Sequence, residues 1–184
     1  MIYKFRLISD ESDDFMREIK LDSDATFYDF HKAILKATGY KDDQMTSFFP
    51  CDDNWDKETE ITLEDMGADS RSDIDTFVMK ETPLSELLED EKQKLIYVFD
   101  PLTERVFFIE LSEIITGKNL DEAVISHKIG TPPPQTVDFD EQFNLKQGID
   151  LDEDFYGSDE FEDSELTDDG FAFSEGNPYD NDFY

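Results

Sequence analysis

A single amphipathic helix is encoded by Asp24-Ala25-Thr26-Phe27-Tyr28-Asp29-Phe30-His31-Lys32-Ala33-Ile34-Leu35-Lys36-Ala37-Thr38-Gly39, and both of its ends are marked. Thr26 can cap the N-terminus, because its hydroxyl oxygen can accept from an N–H group that has no partner inside the helix. Asp29 can reach back to the Thr26 N–H group, as in a capping box. Gly39 supplies the left-handed residue that ends many helices. The sequence therefore predicts a helix over residues 26–38.

The apolar side chains of this helix follow a helical period. Phe27, Phe30 and Ile34 are spaced i, i+3 and i+7, and Leu35 widens the apolar face. A helix that packs on a sheet needs such a face, so we expect these residues to belong to the core. His31 is predicted at the surface or at the helix edge, and not as a ligand.

Two strand patterns precede the helix. Residues 2–9 alternate apolar and basic side chains, and residues 15–21 follow a polar turn, so the two predict a hairpin. A hairpin that leads directly into a helix is a common start of α+β folds. We therefore predict an α+β domain in which a mixed or antiparallel sheet packs on one main helix, with a β-grasp-like topology.

Further elements are predicted after the helix. The clearest strands are residues 94–100 and 105–111, which are rich in β-branched and aromatic residues and are close enough to form a hairpin. A strand over residues 45–49 should end at Pro50, and Thr82 should cap a short helix that has Pro83 at its first position. The remaining patterns predict a short strand or turn over 61–66, a strand over 74–80 and a short helix over 120–126.

The chain of 184 residues is strongly acidic, with 48 acidic and 16 basic side chains and a formal charge of −32. Binding to nucleic-acid phosphates depends on Lys and Arg, so direct binding to DNA or RNA is not expected. An anionic membrane surface is excluded for the same reason. A basic protein is the partner that this charge favours.

No signal peptide or apolar run of membrane length is visible, and we expect a cytoplasmic protein. Cys51 is the single cysteine, so no internal disulfide can form, and it is expected as a buried or edge thiol. Asp52, Asn54 and Asp56 imitate the start of a calcium loop, but Lys57 and Leu63 stand where the loop needs Gly and Glu. No metal or cofactor is therefore expected.

No catalytic motif is recognisable. His31 and His127 lie far apart in sequence, and neither has a nearby nucleophile motif. Phosphate-binding loops and the common hydrolase signatures are absent from the sequence. We therefore expect no catalytic residues and no enzyme, although a site assembled from residues distant in sequence stays an alternative.

Composition divides the chain into a domain over residues 1–130, a Pro-rich linker over 131–137 and a tail over 138–184. The tail holds 17 acidic residues and one basic residue, Lys146, and has no sustained apolar period. Such a composition cannot bury enough apolar surface to fold alone, so the tail is predicted to be disordered.

Aromatic rings are scattered through this acidic tail, and two of them stand at its end. Acidic segments with rings are typical of chains that bind partners while disordered. The ending resembles the tails by which bacterial single-strand-binding proteins recruit DNA-maintenance enzymes. The residues predicted to bind a protein partner are Phe171, Phe173, Tyr179, Asp180, Asp182, Phe183 and Tyr184. The alternative is a tail that only keeps the protein soluble.

The first 135 residues resemble the plasmid pRiA4b ORF-3-like family. The resemblance rests on Tyr3-Lys4-Phe5-Arg6-Leu7, Arg17-Glu18-Ile19, Thr26-Phe27-Tyr28-Asp29-Phe30-His31-Lys32-Ala33-Ile34, Trp55, Thr62-Leu63-Glu64-Asp65-Met66, Tyr97-Val98-Phe99-Asp100 and Gly130-Thr131-Pro132-Pro133. It implies a small α+β domain of bacteria and archaea, often carried on mobile elements, with no established activity.

The chain departs from the usual pattern of that family at three places. It has Phe15-Met16-Arg17 in place of Trp-Arg-Arg, lacks histidines after the helix, and continues from Asp100 into Pro101 in place of Asp-Phe-Gly-Asp. A polar site built on those groups in relatives is therefore not expected here. The sequence favours a non-catalytic interaction protein. The alternatives are an acidic DNA mimic that binds a basic nucleic-acid-binding protein, and an enzyme with an unrecognised site.

Overall fold

The computed structural model describes residues 1–65 and 77–137. The elements are β1 (Ile2–Ile8), β2 (Met16–Asp22), α1 (Phe27–Thr38), β3 (Ser47–Cys51), β4 (Ile61–Thr62), β5 (Phe77–Val78), α2 (Leu84–Leu87), β6 (Lys94–Asp100), β7 (Arg105–Ile115) and β8 (Val124–Ile129). The strands form an eight-stranded sheet in the order β5-β4-β3-β6-β7-β1-β2-β8. Within the described residues β4 and β5 pair in parallel, and the other pairs are antiparallel. The predicted α+β fold with a mixed sheet is confirmed.

The hairpin-then-helix start that suggested a β-grasp-like topology is present. β1 and β2 pair in register from Ile2 opposite Asp22 to Ile8 opposite Met16, and α1 follows. The second neighbour of β1 is β7, which runs antiparallel to it. The hairpin predicted from residues 94–111 is also present as β6 and β7.

Both predicted caps of α1 are confirmed. The Thr26 hydroxyl oxygen accepts from the Asp29 N–H at 3.2 Å, and the Asp29 carboxylate accepts from the Thr26 N–H at 3.1 Å. Gly39 is left-handed with φ of 80°, and its N–H donates to the Leu35 carbonyl. The helix is therefore fixed by local chemistry at both ends.

The core lies between the sheet and the two helices, which pack on the same face. Phe30 stacks on Phe5 of β1 at 4.3 Å and on Phe48 of β3 at 5.3 Å between ring centroids. The α2 side contributes Leu84 and Leu88, which are fully buried. We call the side of the sheet that faces the two helices the inner face, and the opposite side the open face.

Pro50 does not end β3 as predicted but lies inside it. It pairs with Leu95 of β6, and its carbonyl oxygen accepts from the Glu58 N–H at 2.9 Å. The backbone of Pro50 therefore points away from β6, on a side where β4 pairs only with Ser47 and Phe48. A proline fits there because no ladder bond requires its missing N–H group.

Two other expectations are wrong. The short helix predicted over residues 120–126 is replaced by a turn and the strand β8, which pairs with β2 as the edge of the sheet. The N-cap of α2 is Pro83 and not Thr82, because the Thr82 hydroxyl donates to the Val78 carbonyl at 2.9 Å. Within residues 1–65 and 77–137, no helix has the length and apolarity to cross a membrane.

Candidate functional site

The predicted partner-binding residues cannot be placed. Phe171, Phe173, Tyr179, Asp180, Asp182, Phe183 and Tyr184 lie outside the described residues. The structure instead describes residues 130–137, the segment that leads to them. This segment docks on the domain through a group of polar side chains that we call the exit anchor: Glu11, Arg17, Tyr40, Arg105 and Gln135.

Arg17 holds the start of the segment. Only 5% of this residue is exposed, and its guanidinium donates to the carbonyl groups of Ala37, Met16, Ile129 and Gly130. Its Cζ also lies 4.5 Å from the centre of the Phe15 ring. Burial lowers the pKa of Arg17, but a guanidinium stays charged in proteins. The residue therefore ties α1, β2 and the end of β8 to the segment.

Arg105 holds the far end of the segment. It is 8% exposed and makes two parallel bonds of 2.8 Å from Nε and Nη2 to the Glu11 carboxylate. Its Nη1 donates to the Gln135 carbonyl at 3.4 Å, and its Cζ lies 5.0 Å from the Phe99 ring centre. A two-point pair of this kind fixes orientation as well as distance.

Tyr40 and the backbone of Lys41 hold the segment from the loop after α1. The Tyr40 hydroxyl donates to the Pro133 carbonyl at 2.6 Å. Burial raises the pKa of Tyr40, so the hydroxyl keeps the proton that it donates. The Gln135 side chain both accepts from the Lys41 N–H at 2.8 Å and donates to the Lys41 carbonyl at 2.7 Å.

Gly130 allows the chain to enter this site. Its φ is +65°, and a Cβ placed there would lie 2.2 Å from the Asp14 carbonyl oxygen. Only glycine combines this conformation with so close a backbone approach. The sequence had suggested a spacer at residues 131–137, but the structure holds this segment against the domain. The sequence signal that was missed is the presence of Arg17 and Arg105 in strands. Their burial depends on contacts that are distant in sequence.

A second polar cluster surrounds His31, which is fully buried and not at the surface as predicted. Its Nδ1 lies 2.8 Å from the Tyr97 hydroxyl and 3.3 Å from the Thr46 hydroxyl, and its Nε2 lies 3.1 Å from an Asp42 carboxylate oxygen. Burial lowers the pKa of His31, and the bond to Asp42 opposes this effect in part. The hydroxyl groups nearest to His31 belong to buried residues. The cluster therefore ties α1 to β6 and to the loop between α1 and β3.

The imitation of a calcium loop is explained by hydrogen bonding. One Asp52 oxygen accepts from the N–H groups of Asn54 and Asp56 at 2.8 and 2.9 Å, which closes the turn. Trp55 takes φ of 69° in this turn and packs edge-on against Phe108 at 5.1 Å. In the part of the chain that the structure describes, no group of three His, Cys, Asp or Glu side chains is placed to hold a metal ion.

A groove of about 560 Å³ lies between α1 and the turn before β8. Its floor contains Leu21, Ala33 and Ile125, and its rim carries both carboxylates and lysines. Such a mixture does not favour one class of ligand.

Comparison with known proteins agrees with the fold. The model of the plasmid pRiA4b ORF-3-like protein family matches residues 2–147, and the chain therefore belongs to this family. No curated protein matches the chain.

Among solved structures, the chain is similar to a protein of unknown function, MM3350, from Methanosarcina mazei Go1. The two share 16% sequence identity over 69% of this chain and 68% of that one, with a TM-score of 0.53. This likeness concerns the fold alone. The family and this neighbour establish what kind of domain the chain contains, and its function must be argued from its own residues.

Proposed function

We propose that this chain is a non-catalytic interaction module, in which the folded domain presents the acidic segment 138–184 to a protein partner. The observation that carries the proposal is the exit anchor. Two buried arginines and the half-buried Tyr40 hydroxyl bind the eight residues that precede the acidic segment, and the Gln135 side chain within these eight residues bonds to the Lys41 backbone.

The chemistry of the exit anchor supports this role. A free linker would need none of these contacts, and ordering eight residues costs conformational entropy of about 1–2 kcal/mol per residue. A segment that is bound at four or more points starts the acidic chain from one place on the domain. A fixed starting point reduces the volume that the following residues search, and so raises their effective concentration near a partner bound beside the domain.

The partner is expected to combine basic and apolar groups. Residues 138–184 carry a net charge of −16 and ten aromatic rings. Carboxylates speed the encounter with a basic surface, and rings that enter apolar pockets supply most of the binding energy in many interfaces. The adjacent rings Phe183 and Tyr184 follow the carboxylates of Asp180 and Asp182 and offer the most distinctive feature to recognise.

The experiment is capture from host lysate with the full chain as bait, followed by titration with the purified partner. Phe183→Ala with Tyr184→Ala should weaken binding at least tenfold, because truncating buried aromatic anchors typically costs about 2 kcal/mol or more. Phe155→Ala with Tyr156→Ala, which removes the same two ring types from the interior of the segment, is the matched control. Equal binding by the terminal double variant and the wild type would contradict the assignment.

A DNA mimic is a second candidate, favoured by the net charge of −32. Such a protein would occupy the nucleic-acid site of a basic protein through charge alone. Binding would then compete with duplex DNA, fall steeply with salt and ignore the ring substitutions. The same capture experiment, repeated at two salt concentrations, separates the two candidates.

A further inference from the structure

The open face of the sheet carries an unbroken row of apolar side chains across six strands. Phe49 of β3 lies opposite Ile96 of β6, and Ile96 lies opposite Phe108 of β7. Phe108 lies opposite Ile8 of β1, which lies opposite Met16 of β2, which lies opposite Ile129 of β8. Residues paired in this way project from the same face. At about 4.8 Å per strand this apolar row is about 24 Å long.

A second row lies beside it, two residues further along each strand. The register places Cys51, Lys94, Glu110, Arg6, Glu18 and His127 opposite one another in that order. The charges of Lys94, Glu110, Arg6 and Glu18 therefore read plus, minus, plus, minus, and these four cancel. On a chain of net charge −32, this is a surface where a second acidic molecule meets little local repulsion.

The order of these charges is self-complementary. A two-fold axis parallel to the strands reverses each row and places it against its own copy. Glu110 then lies opposite Arg6 of the second copy. Lys94, whose ammonium donates to the Asp53 carbonyl and lies 5.2 Å from the Trp55 ring centre, lies opposite Glu18. The same operation places Phe108 against Ile8 and Ile96 against Met16. A symmetric dimer requires this property, because one patch must match itself.

The shape of the open face agrees with the same operation. Over the half of the row formed by β3, β6 and β7, the loop after β3 covers part of the face. Trp55 packs edge-on against Phe108 of β7, the Lys57 ammonium lies 4.6 Å from the Phe49 ring centre, and Ile96 is only 6% exposed. At the β8 end nothing similar is described, and Ile8 and Ile129 are 45% and 48% exposed. Reversal of the row brings this covered half of one copy onto the β1, β2 and β8 half of the other.

The central charges are free to take part. No described ion pair involves Arg6 or Glu110, although the two residues are register partners, whereas Glu18 pairs with Lys4 at 3.4 Å. Two sheets that pack face to face keep their strands within about 30° of each other, which the two-fold axis parallel to the strands permits. We propose that a second copy of this chain docks on the open face, so that the apolar rows stack and Arg6 of each copy pairs with Glu110 of the other.

This inference is independent of the proposed function, and its test uses the full chain. Sedimentation equilibrium at about physiological salt, where charges are screened beyond about 8 Å, should give twice the monomer mass of 21.4 kDa at high concentration. Ile8→Glu and, separately, Ile129→Glu should raise the dissociation constant at least tenfold. Leu102→Glu, at a residue that is 79% exposed on the β6–β7 turn, is the control and should leave the mass unchanged.

Charge reversal tests the orientation in trans. Arg6→Glu puts two carboxylates at each central contact of the dimer, and Glu110→Arg puts two guanidinium groups there, so each variant alone should be monomeric. Mixed together, the two should form a heterodimer. The carboxylate introduced by Arg6→Glu in one chain then faces the guanidinium introduced by Glu110→Arg in the other, and the second central contact keeps its native Glu110 and Arg6. Circular dichroism checks that each variant is folded. A monomeric wild type, a dimer that survives Ile8→Glu, or a mixture that stays monomeric would each overturn the proposal.

Discussion

At the scale of single residues, the buried His31 makes stability depend on pH. Burial depresses its pKa below the ordinary value near 6.5, so the folded state keeps His31 neutral, whereas the unfolded chain takes up a proton below about pH 6.5. The unfolded state then binds more protons, and the free energy of unfolding must fall as the pH falls from 6.5 towards the lower pKa of the folded state.

We expect His31→Gln to weaken this pH dependence. Glutamine keeps a polar group near Tyr97 and Asp42 but does not titrate, and the change should cost about 1–3 kcal/mol at pH 7.5 through imperfect buried hydrogen bonds. Urea unfolding at pH 7.5 and pH 5.5 measures both effects. His127→Gln, at an exposed residue of β8, is the control. It should show the same change in the free energy of unfolding between the two pH values as the wild type. If the free energy of unfolding of His31→Gln changes with pH as much as that of the wild type, the pH dependence comes from carboxylates.

Gly130 is the residue on which the entry to the exit anchor depends. Alanine there has two costs, the left-handed φ of +65° and a Cβ at 2.2 Å from the Asp14 carbonyl oxygen. Gly117 has φ of +74° and no atom within 4 Å of its Cβ position. Gly117→Ala should therefore lower the free energy of unfolding only by the conformational cost, about 1–2 kcal/mol. Gly130→Ala should lower it clearly more. Thermal melts of the two variants compare these costs. Equal melting temperatures would show that the segment at Gly130 moves away from Asp14 at little cost in free energy.

At the scale of elements, the sequence predicted what is decided locally. The ends of α1 are set by Thr26, Asp29 and Gly39 within one helix, so neighbouring residues carried all the information. The β6–β7 hairpin was predicted for the same reason, since its strands are close in sequence and strongly apolar.

Elements decided by distant partners were not predicted. β8 is an edge strand with mostly exposed residues, so it lacks the apolar alternation that marks a half-buried strand. The buried His31 has its hydrogen-bonding partner Tyr97 66 residues away in sequence. The exit anchor joins Arg17 to Gly130 and Arg105 to Glu11 across about a hundred residues. The partner-binding residues predicted in the tail lie outside the described residues and stay a prediction.

The exit anchor gives an element-scale prediction through Tyr40. Tyr40→Phe removes the hydroxyl that donates to Pro133 and should lower the free energy of unfolding by about 1 kcal/mol. Tyr28→Phe, at a tyrosine whose hydroxyl makes no described hydrogen bond, is the matched control. Hydrogen exchange at the Lys41 amide, which donates to Gln135, should speed up in Tyr40→Phe and stay unchanged in Tyr28→Phe. Equal exchange in both would show that Tyr40 does not hold the segment.

At the scale of the whole molecule, two electrostatic effects oppose each other. The net charge of −32 disfavours compact states through repulsion. Ion pairs such as Arg105 with Glu11 favour them, and salt weakens both effects. Arg105 is 8% exposed in its pair with Glu11, whereas most carboxylates of the described residues are exposed, and exposed charges are the ones that salt screens. Added salt should therefore weaken the repulsion among carboxylates more than the attraction within the ion pairs.

We accordingly expect the melting temperature to rise when NaCl is raised from about 0.01 M to about 0.15 M, which shortens the screening length from about 30 to about 8 Å. KCl at equal ionic strength should give the same rise, because screening does not depend on the identity of these ions. Arg105→Gln, which removes the ion pairs of Arg105 with Glu11 and Asp100, should melt lower at both salt concentrations but show at least as large a rise. A fall of the wild-type melting temperature with salt would mean that attractive pairs dominate, and the acidic excess would then carry no stability cost for partner binding to relieve.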